Sequence, residues 1–315
     1  MAAFSFDKLV IVGVGLIGGS LARALRERGN TGGDTGGARE VVGVGRTAAA
    51  TARACELGVI DGAAALDDDR ALAAALAGAD IVLLAAPVAQ TRPLLERIAP
   101  FLDAATVITD AGSTKADVVA AARSALGARI GQFVPGHPIA GREASGVEAA
   151  LPDLYVDRNV VLCPLPENAP AAVARIEDMW RAAGATVHEM APPQHDRVLA
   201  SVSHLPHVLA FAYVEQILQS RDAALRFAFA SGGFRDFTRI AASSPEMWRD
   251  ICIANRDALL EEIDSYTAVL AALRTAIETG DAAALEAVFT RSRAARADWQ
   301  LRAAQPAAAN GEPSK

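Results

Sequence analysis

The chain has 315 residues, 52% hydrophobic and 21% charged, which is enough apolar material for about two folded domains and too much for global disorder. A formal charge of −7 gives no electrostatic reason to expect nucleic acid or an anionic membrane as a partner, so a small-molecule substrate fits better. Every long apolar stretch is broken by Gly, Pro or charge before about 18 residues, and Met1–Lys8 lacks a signal-peptide pattern, which points to a cytoplasmic protein.

From Lys8 to about Pro164, short β-branched runs alternate with Ala-rich amphipathic stretches, the pattern of a parallel sheet with helices between its strands. The expected strands are Leu9–Val12, Glu40–Val44, Ile81–Ala85, Thr106–Thr109, Ile130–Val134 and Asn159–Cys163. The Gly-rich segment Asn30–Arg39 reads as an enlarged surface loop. After a last strand at Thr186–Glu189 the pattern becomes helical, through Val198–Gln219, Met247–Ile277 and Ala282–Leu301, with apolar positions on more than one helix face. The expectation is an α/β protein in three parts. A Rossmann-type parallel sheet for dinucleotide binding spans 1–190, an all-helical substrate and dimerisation domain spans 191–302, and a disordered tail spans 303–315.

Gly13-Val14-Gly15-Leu16-Ile17-Gly18 follows the first strand and opens a helix of good formers. In this fingerprint the first glycine permits a tight turn, the second lets a pyrophosphate approach the backbone, and the third lets the helix pack on the strand. Three glycines alone are a weak signal, but the strand before and the helix after make this one strong. At the end of the second strand, where NAD-specific domains place an acidic residue, the chain has Gly45-Arg46-Thr47. Arg46 with the Thr47 hydroxyl suits a 2′-phosphate and favours NADP over NAD, although a solvated arginine beside the adenine would look the same.

The residues just beyond the other strand ends carry the remaining chemistry, because ligands of open parallel sheets bind there. Pro87 follows one strand and Ser113 with Lys115 follows the next. Ser113 and Lys115 are equally readable as helix-capping residues. His137, held between Gly136 and Pro138, is a candidate general base on a rigid backbone. His204 and His207 open a helix without acidic or thiol ligands beside them, and Cys55, Cys163 and Cys252 stand far apart, so no metal site is expected. Gly232 and Arg239 belong to a stretch whose arginines could fork onto a carboxylate, with surface ion pairs as the plain alternative.

Taken together, Gly13-x-Gly15-Leu-Ile-Gly18-Gly-Ser20-Leu, Gly112-Ser113-x-Lys115, Gly136-His-Pro-Ile-Ala-Gly141, Ser203-His-Leu-Pro-His207 and Asp236-Phe-Thr-Arg239 resemble the prephenate and arogenate dehydrogenases of tyrosine biosynthesis over about residues 8–300. The resemblance implies NAD(P)-dependent oxidation of a cyclohexadiene with loss of carbon dioxide. It makes His137 the base for the ring hydroxyl, with Ser113 assisting beside the nicotinamide. Arg239 would hold a carboxylate, and His207 and His204 would line the pocket. The cofactor would rest on Gly13, Gly15, Leu16, Ile17, Gly18, Arg46, Thr47, Pro87 and Ser113, and the substrate also near Lys115 and Gly232. Two alternatives stand beside it. A β-hydroxyacid dehydrogenase would resemble its family in a lysine on the helix Val198–Gln219, which has none. A dinucleotide-sensing protein without turnover would not need both His137 and Arg239.

Overall fold

The computed structural model describes residues 6–30, 38–142 and 144–303. By internal contacts the chain forms two compact units, Met1–Leu259 and Leu260–Lys315.

In the first unit, six parallel strands form one sheet: β1 (Phe6–Val12), β2 (Ala38–Gly45), β3 (Gly62–Ala65), β4 (Ile81–Leu84), β5 (Val107–Asp110) and β6 (Phe133–Val134). Their order is β3-β2-β1-β4-β5-β6, so the winding reverses between β1 and β4. The strand centres, such as residues 9–12, 41–44 and 81–84, are apolar because both faces are covered. Leu9 and Ile11 belong to the core on one face, and Val10 and Val12 to the core on the other. Between the strands run α1 (Leu16–Asn30), α2 (Ala48–Glu56), α3 (Asp69–Leu76), α4 (Thr91–Ile98) and α5 (Ala116–Leu126).

Three expectations from the sequence change here. β3 is Gly-Ala-Ala-Ala, with no β-branched residue to mark it; it is a strand because it pairs along β2 from Val42 to Gly45. Residues 127–132 form a 3₁₀ turn rather than the start of the sixth strand. The strand at Asn159 does not join the large sheet: β7 (Gly136–Pro138), β8 (Asn159–Leu162) and β9 (Thr186–Glu189) make a separate three-stranded sheet, with β7 antiparallel to β8. Pro135 has no N–H to extend the β5–β6 ladder, and just beyond it the chain leaves the first sheet for the second. Residues 31–37 of the expected surface loop and residues 304–315 of the expected tail lie outside the described residues; Ala38 and Arg39 already belong to β2.

The helices of the first unit continue with α6 (Pro170–Ala182), α7 (Pro192–Leu199), α8 (Leu205–Leu218), α9 (Ala223–Ala228), α10 (Gly232–Thr238) and α11 (Pro245–Ala254). α7 and α8 are one run of helix interrupted by a π-helical turn over Ala200–His204. Among the described residues, the run Pro192–Leu218 is long and apolar enough to cross a membrane by length and composition. The expected helix from Met247 is divided at Asn255, where α12 (Arg256–Thr279) follows α11, and the break between the two units falls inside α12.

The second unit holds the remainder of α12 and α13 (Ala282–Ala303), which meet at Gly280 with φ +67. Its helices leave Val269, Leu270, Ile277 and Phe289 each more than half exposed.

Candidate active site

Only three residues separate β1 from α1. Gly13 turns the chain with φ +99, and a Cβ there would meet the Ala85 carbonyl oxygen at 2.5 Å. A Cβ on Gly18 would meet both the Gly13 oxygen and Ile11 Cγ2 at 2.6 Å, so helix and strand pack closely only with glycine. Gly15 differs, because a Cβ there would meet nothing within 4 Å. Its backbone therefore faces open space at the N-terminus of α1, whose first turn carries no acidic residue. That arrangement leaves room for a pyrophosphate against the helix N-terminus, and the residues fit a nicotinamide dinucleotide. Arg46 and Thr47 are exposed at the end of β2, and Thr47, the N-cap of α2, makes no side-chain cap bond.

A cleft of ≈ 370 Å³ opens at the reversal point of the sheet, with Leu16, Ile17, Pro87, Ser113 and His137 in its wall. Met247 and Asp250 of α11 contribute to the same wall. His137 lies on β7, opposite Val161. The carboxylate of Asp110 fixes the start of that strand by accepting the Gly136 N–H at 3.0 Å. Desolvation chiefly, then the proximity of His195, Lys115 and His204, holds the His137 pKa well below that of a free imidazole. The ring is therefore neutral at neutral pH.

Behind the cleft lies a layer of buried polar groups. Lys115 is completely buried, with its ammonium 2.5 Å from the Asp110 carboxylate. Asp196 of α7 caps α5 from 80 positions away, its two oxygens accepting the Lys115 and Ala116 N–H groups at 2.8 Å. Burial alone would raise the Asp196 pKa, but hydrogen bonds from His195 and from these backbone groups outweigh it and keep the carboxylate below its ordinary range. His195 Nδ1 lies 2.8 Å from Asp196, and its Nε2 lies 2.9 Å from His137 Nδ1. Asn255 donates to the Asp196 carbonyl at 2.8 Å and lies 3.0 Å from His204 Nδ1.

The structure thus brings Ser113 and His137 together with Leu16, Ile17 and Pro87, but separates other expected site residues. Lys115 does not reach the cleft: its charge is neutralised inside by Asp110, and although it occupies the N-cap position of α5 its side chain makes no cap bond. His204 is 1% exposed and also lies behind the cleft, its pKa lowered to about 4 chiefly by desolvation. The Ser113 backbone is near it, but His204 Nε2 has no hydrogen-bond partner of ordinary geometry. His207 donates from Nδ1 to the Ser203 carbonyl at 2.8 Å and stacks on Trp248 with centroids 3.5 Å apart. Gly232 and Arg239 line a second cavity of ≈ 620 Å³, with Ser231, Arg235 and Thr238. Arg239 is close enough to His207 to lower its pKa, after the larger effect of burial. Among the described residues, no group of three or more His, Cys, Asp or Glu side chains could hold a metal ion.

Comparison with known proteins settles the family. A model described as "Prephenate dehydrogenase, nucleotide-binding domain" matches residues 21–189, and one described as "Prephenate dehydrogenase, dimerization domain" matches 191–291. The chain belongs to the prephenate dehydrogenase family. It is 37% identical to the prephenate dehydrogenase of Bacillus subtilis (strain 168) over 298 residues, covering 94% of this chain and 77% of that protein. It is 38% identical to the cyclohexadienyl dehydrogenase of Zymomonas mobilis, covering 69% and 74%. Among solved structures, prephenate dehydrogenase from Aquifex aeolicus in complex with hydroxyphenyl propionate and NAD+ has a TM-score of 0.84 at 32% identity, covering 93% of this chain and 98% of that one. Synechocystis arogenate dehydrogenase has a TM-score of 0.76 at 29% identity, covering 93% and 99%.

As a member of the prephenate dehydrogenase family the chain is an oxidoreductase that uses NAD or NADP. Sequence reasoning missed His195 and Asp196. The signal available was weak: two ionisable residues on an otherwise ordinary helix start, 58 and 59 positions from His137, with no motif around them. Only the packing of α7 against α5 brings them to His137.

Proposed function

We propose that this chain oxidises prephenate, arogenate or both, with loss of carbon dioxide, in tyrosine biosynthesis. The observation that carries the reading is a neutral, buried histidine, His137, in the wall of the cleft that also contains the dinucleotide turn. His137 accepts the proton of the ring hydroxyl through Nε2, the nitrogen not engaged by His195. Ser113, in the same wall, orients the hydroxyl beside the cofactor. The bound nicotinamide supplies the hydride acceptor. As the ring becomes aromatic its carboxylate leaves as carbon dioxide, so no Lewis acid is needed for that step.

Arg239 supports substrate binding as a carboxylate ligand from the second cavity, with His207 beside it. Lys115 and His204 act from behind the cleft, by fixing Asp110 and by packing under Ser113. A functional boundary near residue 190 agrees with the two family models. A homodimer through the helical part is supported by the dimerization description of residues 191–291 and by exposed apolar side chains such as Ile277 and Phe289.

The test is absorbance of the reduced nicotinamide with prephenate and with arogenate, each with NAD and with NADP. Turnover of neither substrate would overturn the reading. The same assay addresses Arg46: if its guanidinium pairs with a 2′-phosphate, Arg46→Ala should lower kcat/KM for NADP by about tenfold or more and for NAD much less. Equal losses would make Arg46 a solvated neighbour of the adenine.

A further inference from the structure

The reaction as described uses one nitrogen of His137 and leaves two buried ionisable residues, His195 and Asp196, without a part. Their hydrogen bonds have a definite direction. Asp196 is surrounded by donors: the Lys115 and Ala116 N–H groups at 2.8 Å, and His195 Nδ1 at 2.8 Å. A carboxylate only accepts, so His195 carries its proton on Nδ1. A neutral His195 then presents a lone pair at Nε2, and the contact of 2.9 Å makes His137 Nδ1 the donor. The lone pair of His137 is left on Nε2, the nitrogen a base needs.

We propose that His195 and Asp196 are positioning residues that fix this tautomer of His137 and then share the proton it accepts. The proposal rests on His137 being the base. When the hydroxyl proton reaches His137 Nε2, the proton on His137 Nδ1 crosses to His195 Nε2. His137 is again neutral, now protonated on Nε2, and His195 is an imidazolium against the Asp196 carboxylate. Two bonds break, the substrate O–H and the His137 Nδ1–H, and two form, His137 Nε2–H and His195 Nε2–H, so the pair gains a single positive charge. After product leaves, the reverse shift returns the proton through His137 Nε2 to water in the cleft.

The surroundings suit this placement of charge. The N-terminus of α5 and the ion-paired Lys115 face Asp196 from one side. Asp117, whose pKa is raised mainly by burial, lies on the same helix. From the π-helical turn comes His204, buried and neutral, tied through Asn255 to the Asp196 backbone. Cys163, its thiol pushed up to about 12 by burial, adds no charge. An imidazolium at His195 is therefore next to an anion, whereas one confined to His137 faces Lys115 without that neighbour.

Nitrogen-15 spectra of histidine-labelled protein test the tautomers without any assay, since the chain has only 5 histidines. At neutral pH both His137 and His195 should read as protonated on Nδ1; His137 protonated on Nε2 in the resting enzyme would overturn the proposal. In turnover, His195→Gln keeps an acceptor near Nε2 but cannot take a proton. It should lower kcat about 10- to 100-fold, leave both KM values within about threefold, and move the acidic limb of kcat/KM about one unit to lower pH. A loss of kcat with the limb unmoved would mean a purely structural role and would overturn the relay. Asp196→Asn should turn His137 to the wrong tautomer and lose more; should it fail to fold, the wild-type spectra and His195→Gln still decide. If His137→Asn retains turnover, the base assignment itself falls. If His137→Asn is inactive while His195→Gln behaves as wild type, the base stands and the relay falls.

Discussion

A histidine serves as a base when it is neutral and its free nitrogen faces the substrate, and burial in a cleft wall supplies the first condition for His137. Asn in its place keeps a polar group of similar reach but no basic nitrogen. His137→Asn should therefore cut kcat by about 10² to 10⁴ while dissociation constants for the cofactor, measured by fluorescence quenching, stay within a few-fold of wild type. Gly15 offers a second check at this scale. Its missing side chain would touch no protein atom, so Gly15→Ala should fold with unchanged stability yet bind the dinucleotide about tenfold more weakly, if the open space before α1 is where the phosphates of the proposed cofactor lie. Weakened folding with normal binding would contradict the cradle. Both residues were legible in the sequence, one from its fixed Gly-His-Pro setting and the other from the spacing of Gly13, Gly15 and Gly18. Lys115 was expected near the substrate or as a helix cap, and sequence cannot show that Asp110, five residues earlier, neutralises it inside the protein.

At the scale of elements, the start of α5 depends on groups from three places: Asp110 at the end of β5, Lys115 at the N-cap, and Asp196 on α7. Removing one member of a buried ion pair leaves the other charge uncompensated. Lys115→Met is expected to destabilise the protein by about 3–5 kcal/mol in urea unfolding, and Lys115→Met with Asp110→Asn to recover part of that loss. A double variant no better than the single one would show that the pair matters through packing alone. The alternation of strands and helices was readable because the strands of β1, β4 and β5 are apolar on both faces. β3 was not, because Gly-Ala-Ala-Ala is a strand only through its neighbour β2. The second sheet was hidden for a related reason: β8, Asn-Val-Val-Leu, is nearly as apolar as β4 of the large sheet, and only pairing tells which sheet it joins.

For the whole molecule, the buried histidines set a dependence of stability on acid. The folded-state pKa of His204 is about 4 against an ordinary 6.5, so the unfolded chain binds the proton first. Its contribution is intact above pH 6.5 and is lost as pH falls toward 4, at a cost of about 3 kcal/mol. His137 acts in the same direction. The melting temperature should fall through that window, and His204→Asn should flatten the fall; an unchanged slope would remove His204 from the account. Sequence could place His204 in a motif but not beneath Ser113, since burial of that kind is a property of the assembled fold.

The long reach of Asp196 to α5 also bears on how the protein is made. A ribosome has finished the glycine turn, Ser113 and His137 well before it adds residues 195 and 196, and the earlier segment contains every strand of the large sheet. A nascent chain at that stage can assemble the glycine turn, while the start of α5 still lacks its anion and His137 lacks the neighbour that orients it. Binding competence would then precede chemical competence during synthesis, and a stalled or truncated product would hold cofactor without consuming it.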